Sequence, residues 1–180
     1  IIGWLQRVCE GTLMLVNNRK EWLKARQKGI GGSDAASVLG ISPWKTNVQL
    51  WEEKTGITEP EDISEKEVVR FGKESEAAIR QLFQLDFPEY QASYDEFGMI
   101  ANEPDCPFIF ATLDGELTDG SGRKGILEIK TTEIRRFIDW KKWNGQIPDY
   151  YYAQIVHQLL ATGYEFAILK ARIRERGEYG

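Results

Sequence analysis

Asp114-Gly115-Glu116 followed by Ile126-Leu127-Glu128-Ile129-Lys130 is the stretch from which the fold can be read. A strand turns alternate side chains to opposite faces. Leu127 and Ile129 therefore enter a core, while Glu128 and Lys130 project together from the other face. Phe108-Ile109-Phe110-Ala111-Thr112-Leu113 reads as the partner strand, and Thr118-Asp119-Gly120-Ser121-Gly122-Arg123-Lys124-Gly125 as the connecting loop. A hairpin of that shape carries Asp114 back beside Glu128 and Lys130. Two carboxylates about 4 Å apart repel by roughly 4 kcal/mol at an effective dielectric of about 20. They are tolerable together only with a proton, a cationic side chain or a metal ion between them. Asp and Glu oxygens with a lysine alongside suit Mg²⁺ or Mn²⁺ and a phosphate substrate. That chemistry points to a nuclease.

Composition narrows the field. The 180 residues, 42% hydrophobic and 28% charged, suit one globular domain with a single core. A single nuclease domain over 1–180 is expected, with 1–17 as an N-terminal extension. Because the chain opens on Ile1 and stops at Gly180 just after an apparent strand, a truncated C-terminal end is expected as well. No apolar run reaches the roughly 18 residues of a membrane span. Leu13-Met14-Leu15-Val16, with Glu10 before it, is too short for a signal-peptide core. Cys9 and Cys106 are the only cysteines, which excludes a disulfide scaffold or a four-cysteine iron–sulfur cluster and fits a reducing cytoplasm.

The net charge of −5 counts against DNA binding, since phosphate contacts need Lys and Arg. A metal-dependent site eases the objection, because it must concentrate carboxylates whose sign bound cations reverse. The basic residues are also clustered: Arg19, Lys20, Lys24, Arg26 and Lys28 in one stretch, Arg135, Arg136, Lys141 and Lys142 in another. Each cluster reads equally well as a solvated helix face. Only their flanking of the candidate site makes Arg135, Arg136, Lys141 and Lys142 candidate DNA-backbone contacts.

Along the chain, helical periodicity runs from Asn18 to Gln27 and stops at Gly29. Gly31-Gly32-Ser33-Asp34 leads into a short helix, Asp34 to Leu39, closed by Gly40. Thr46 caps a helix over Asn47–Thr55 that Gly56 ends. Glu59 to Glu67 reads as an acidic surface loop, and Phe71 to Phe87 as a helix with Ala78, Ile79, Leu82 and Phe83 on one face. Strands at Phe108–Leu117 and Gly125–Thr132 follow, then a helix from Glu133 to Trp143 and a turn over Asn144–Pro148. Asp149 caps a helix ending near Gly163, with Ile155, Val156, Leu159 and Leu160 on its apolar face. Glu165–Arg172 is the last strand.

Four ordered blocks carry a family resemblance between Arg19 and Ala171. They are Trp22-Leu23-Lys24-Ala25-Arg26 with Gly31-Gly32-Ser33-Asp34-Ala35-Ala36; Phe71-Gly72-Lys73-Glu74-Ser75-Glu76; the Asp114–Lys130 hairpin; and Tyr152-Ala153-Gln154-Ile155-Val156-His157-Gln158. With these the chain resembles the PD-(D/E)xK nucleases, and among them the phage recombination exonucleases of the lambda exonuclease and YqaJ type. One Glu-x-Lys is common by chance; four blocks in the family's order are not. Leu113 stands where the family has Pro before the first Asp, which costs turn rigidity and removes no ligand.

The resemblance implies an α/β fold with a restriction-endonuclease-like core, a central mixed sheet flanked by helices. It implies a deoxyribonuclease that hydrolyses phosphodiester bonds of linear double-stranded DNA from 5′ to 3′ in phage-type homologous recombination. Two Mg²⁺ ions are implied, with Mn²⁺ as a substitute, and the location is a bacterial host cytoplasm with no membrane. The implied partners are double-stranded DNA ends, a single-strand annealing protein and further copies in a ring-shaped homotrimer. Two rivals stay open: a structure-specific or restriction-type endonuclease on the same core, and a non-catalytic DNA-end-binding module. The intact Asp114, Glu128 and Lys130 set disfavours the second.

Residue by residue, Asp114 and Glu128 are expected to bind metal, with the Ile129 carbonyl completing the coordination as the family suggests. Lys130 stabilises the attacking hydroxide and the charge of the pentacovalent phosphorus. Glu76 falls beside the buried face of its helix, where an unpaired carboxylate is costly; the family places a helical metal-binding Glu there. Gln154 matches the family's active-site glutamine, which orients water or phosphate. Arg26 and Ser33 match positions that hold the terminal 5′-phosphate, chemistry that a guanidinium fork and a helix start suit unaided. His157, the single histidine, reads as structural. Trp140 and Trp143, beside Lys141 and Lys142, suit base stacking, and equally core packing or a subunit interface.

Overall fold

Gly125-Ile126-Leu127-Glu128-Ile129 lies inside an 11-residue strand, Lys124–Ile134, that is buried on both faces along this run. Both of its edges are paired, antiparallel with Gly115–Thr118 and parallel with Phe166–Glu175. The parallel pairing extends to Ile134↔Glu175. Glu133 and Ile134 are therefore strand, not the start of the predicted Glu133–Trp143 helix, and among the described residues of that stretch Phe137–Trp140 alone is helical. A continuous ladder outweighs weak local helix preference.

The structure is a computed structural model describing residues 11–14, 18–63, 65–102, 106–134 and 137–175. In chain order its elements are β1 (Thr12–Met14), α1 (Arg19–Gln27), a 3-10 turn (Gly32–Asp34), α2 (Ala35–Val38), α3 (Asn47–Thr55) and α4 (Glu67–Asp86). There follow β2 (Gln91–Ser93), β3 (Met99–Asn102), β4 (Cys106–Ala111), β5 (Gly115–Thr118), β6 (Lys124–Ile134), α5 (Phe137–Trp140), α6 (Asp149–Thr162) and β7 (Phe166–Glu175). Of the expected extension 1–17, only 11–14 falls within the described residues. The chain's final residues fall outside them. No helix among the described residues is long and apolar enough to cross a membrane.

Among the described residues two sheets form, a mixed one in the order β2-β5-β6-β7 and an antiparallel one in the order β1-β3-β4. This corrects the predicted hairpin. Phe108–Leu113 does not pair with β6: β4 ends at Ala111 and pairs with β3, and β5, not β4, lines up antiparallel with β6. The chain changes sheets across Thr112-Leu113-Asp114. Buried backbone carbonyls need donors, and side chains provide them here. Arg80 Nη1 donates to the Asp114 carbonyl, and Gln158 Nε2 approaches the Thr112 carbonyl at 3.4 Å.

Helices cover both faces of the mixed sheet. Ile79 and Phe83 of α4 pack on Leu117, Leu127 and Ile129, the core the alternation predicts. Each such fully buried apolar side chain stabilises the fold by roughly 1.5–3 kcal/mol. The other face of β6 meets α6 through Gln154 and Gln158. Val156 and Leu160 of α6 are exposed, not core. Ile155 is buried as expected, and the rest of the inner face uses Ala153, Gln158, Ala161 and Thr162, short or polar residues that let the helix approach Glu128. Trp22 and Ala25 of α1 close the second sheet over Met99, Ala101 and Phe110.

Local signals set most boundaries. Thr46 and Gln49 form a reciprocal cap on α3, and Gly56 ends it at φ +75°. α4 starts at Glu67, earlier than the predicted Phe71, and Asp149 is the first residue of α6 with Pro148 at the cap position. β1, β2 and β3, only three or four residues long, carry too short a pattern to read from sequence.

Candidate functional site

Glu128 projects from the middle of β6 and is 1% exposed. A carboxylate so deep needs partners, and both of its oxygens have them. Its Oε1 accepts from Gln154 Nε2 at 2.6 Å and meets Lys130 Nζ at 2.5 Å; its Oε2 accepts from Gln158 Nε2 at 2.7 Å. Burial works to lower the Lys130 ammonium, but the Glu128 and Asp114 carboxylates outweigh it and raise its pKa. The two carboxylates thus favour the ammonium form of Lys130. Its Nζ also lies 5.1 Å from the Tyr151 ring centroid.

Asp114 sits just before β5. Its Oδ2 accepts the Ile129 backbone N–H at 2.8 Å, between Glu128 and Lys130 in sequence. Burial first, then the Glu128 and Glu76 carboxylates, push its carboxyl up to about 8. Glu76 on α4 is raised too, by burial above all, with Arg80, Lys130 and Lys73 opposing. Arg80 links the two: one turn beyond Glu76, it holds the Asp114 carbonyl while its guanidinium stacks 3.8 Å from the Tyr94 ring centroid.

Glu76, Asp114, Ile129 and Lys130 line one cleft of about 870 Å³, and Arg26, Ser33 and Thr112 line the same cleft. Arg26 Nη1 donates to Thr112 Oγ1 at 3.1 Å and Nη2 to Ser33 Oγ at 3.0 Å, with Trp22 beneath it at 4.6 Å. Burial lowers its pKa, and Asp34 counters that. Lys54 braces this corner, pairing with Asp34 at 2.7 Å and donating to the Arg26 carbonyl at 2.8 Å.

The remaining predicted residues divide. His157 Nε2 lies 3.0 Å from the Ile30 carbonyl and 3.1 Å from that of Phe110, so it carries the proton and ties the Ile30 segment to β4. Trp143 packs against Tyr151 at 5.7 Å, and Trp140 is half-buried. Lys141 and Lys142 are exposed, Lys142 with Asp139 at 3.3 Å. Arg135 and Arg136 lie outside the described residues. Sequence reading missed Gln158, Arg80 and Thr112 as site residues. Gln158 follows Gln154 by one helical turn, and Arg80 follows Glu76 likewise, so helical spacing was the available signal. Thr112 carried none.

As they stand, no three His, Cys, Asp or Glu side chains among the described residues are grouped closely enough to hold an ion. The donor set nevertheless fits a hard divalent cation. Burial and the Glu128 carboxylate raise both Asp114 and Glu76, and Glu76 adds to the shift of Asp114, a charge excess that a cation would relieve.

A family model described as a YqaJ-like viral recombinase domain matches residues 21–165. A Bacillus subtilis (strain 168) protein named uncharacterized protein YqaJ is 36% identical over 149 residues, 83% of this chain. The chain spans 44% of that relative's length. Among solved structures, the crystal structure of an alkaline exonuclease from Laribacter hongkongensis matches with a TM-score of 0.63. That match covers 86% of this chain and 74% of the other; at 18% identity the likeness is one of fold.

Proposed function

The chain belongs to the YqaJ-like viral recombinase domain family, and from that premise we propose that it is a divalent-metal-dependent deoxyribonuclease digesting linear double-stranded DNA from the 5′ end. The observation that carries this reading is the meeting of Asp114, Glu128 and Lys130 beside a cleft that also holds Arg26 and Ser33. The alkaline exonuclease of like fold supports it.

Asp114, Glu128, Glu76 and the Ile129 carbonyl would hold Mg²⁺, or Mn²⁺ in its place, and we assign two ions by the family's pattern. Bound there, the cations supply charge neutralisation at the scissile phosphate and a more acidic water. The chain's own groups do the rest. Lys130, held cationic by its two carboxylates, stabilises the attacking oxygen and the negative charge that develops on phosphorus. Gln154 keeps Glu128 oriented. The Arg26 fork, already turned toward two hydroxyls, grips the terminal 5′-phosphate. By the same family pattern we assign a ring-shaped homotrimer and a single-strand annealing partner.

Linear 5′-phosphorylated, linear 5′-hydroxyl and closed circular duplexes incubated with Mg²⁺ test the reading. Loss of the linear duplexes alone, fastest with 5′-phosphate, is expected. Cleavage of circles would indicate an endonuclease, and no Mg²⁺-dependent digestion of any substrate would defeat the proposal.

A further inference from the structure

A carboxylate offers about four lone-pair directions on its two oxygens. Glu128 Oε1 takes two donors, Gln154 and Lys130, whereas Oε2 takes one, Gln158 Nε2. One direction on Oε2 is left over. Gln158 is 1% exposed, so it is closed off from any substrate in the cleft. Its own Oε1 is buried with no hydrogen-bond partner among the described residues. An unused buried acceptor is unfavourable, yet turning the amide over would set that oxygen against Glu128 Oε2. The carboxylate thus admits one orientation of the amide, and the amide in turn fixes the carboxylate. Room for this comes from Gly32: a Cβ there would fall 2.9 Å from Gln158 Cγ and 3.3 Å from Gln154 Cγ.

We propose that Gln158 is a positioning residue for the metal site, fixing Glu128 as a one-oxygen ligand through Oε2, with Gly32 leaving the space for its side chain. This rests on the reading of Glu128 as a metal ligand. Gln154 alone would leave Oε2 unguided, and the carboxylate could rotate about its last bond. Residues that orient a ligand from behind typically change metal affinity by about 10–100-fold when altered.

Mn²⁺ titrated calorimetrically into the DNA-free chain tests the inference. Q158L keeps the volume and loses the donor; Q158N keeps the amide but is too short to reach Glu128. Both are expected to bind Mn²⁺ about 10–100-fold more weakly at unchanged circular dichroism. Digestion should fall at low Mn²⁺ and return at saturating Mn²⁺, with KM for DNA unaltered, which a merely loosened fold would not do. If Q158L fails to fold, Q158N decides. Wild-type Mn²⁺ affinity in a folded variant, or a loss that added Mn²⁺ does not restore, overturns the role of Gln158 and leaves the metal reading standing. Absence of Mn²⁺ binding by the unaltered chain would instead overturn the metal reading, and this inference with it.

Discussion

The Asp114 carboxylate accepts the backbone N–H of Ile129 across 2.8 Å, which ties the residue before β5 to the peptide between Glu128 and Lys130. One short bond thus gathers groups from β6 and from the crossover before β5 into a site that neither makes alone.

D114A, E128A and K130A should each abolish Mg²⁺-dependent digestion, a loss of at least about 10²–10³-fold. D114A and K130A remove a ligand and a stabilising charge. E128A also empties a buried position and leaves Gln154, Gln158 and Lys130 without their acceptor, so E128Q, which keeps the volume, is the variant that separates lost chemistry from lost packing. Quantitative digestion of a labelled linear duplex, alongside circular dichroism, checks this. Near-normal rates in any of the three would sink the assignment for that residue.

Asp114 also predicts a pH dependence. Its folded carboxyl is pushed up to about 8, against about 3.9 in an unfolded chain. Between those values the metal-free folded protein holds a proton that the unfolded chain has released. This group's stabilisation is therefore complete below about pH 4 and is lost as the pH rises through about 8. D114N keeps an acceptor for Ile129 and removes the titration. Its metal-free Tm should exceed that of the unaltered protein at pH 8–9, and the gap should close toward pH 4. A gap that does not vary with pH would contradict the shift.

Arg26 bonds Ser33 and Thr112 in the cleft. R26A should slow digestion of 5′-phosphorylated ends far more than of 5′-hydroxyl ends. Equal loss on both, in a paired rate measurement, would reduce Arg26 to a brace for Trp22 and Ser33.

Lys142 forms an exposed pair with Asp139, which is worth little in water, so it is available to phosphate. Neutralising Lys141 and Lys142 together should weaken DNA binding at every sequence. The slope of log affinity against log salt should become shallower by roughly 0.9 for each lost phosphate contact. An unchanged slope in fluorescence titrations would move the DNA track to the basic stretch around Lys24 and Arg26.

Phe83 has no exposed surface and packs between α4 and the mixed sheet. F83A should cost about 3–5 kcal/mol in urea unfolding. A cost under about 1 kcal/mol would mean that the core closes around the gap.

What could be read without a structure was whatever depends on residues close together in the chain. Strand alternation sent Leu127 and Ile129 into the core and Glu128 the other way. Thr46, Gly56 and Gly163 marked helix ends because capping is decided within a turn of the terminus. The order of the four blocks indicated the family and, with it, the candidate site residues Asp114, Glu128, Lys130, Glu76, Gln154, Arg26 and Ser33. Pairing and burial depend on distant chain. β4 and β5 look like one apolar strand until β3 claims the first half and β6 the second. Glu133 looks helical until β7 extends the ladder past it. Gln158 looks like a surface glutamine beside a histidine; it becomes part of the site because α6 docks on β6 and brings it to a carboxylate 30 residues away in sequence. Local periodicity carries no information about which distant polar group will share a buried space, and only packing sets that.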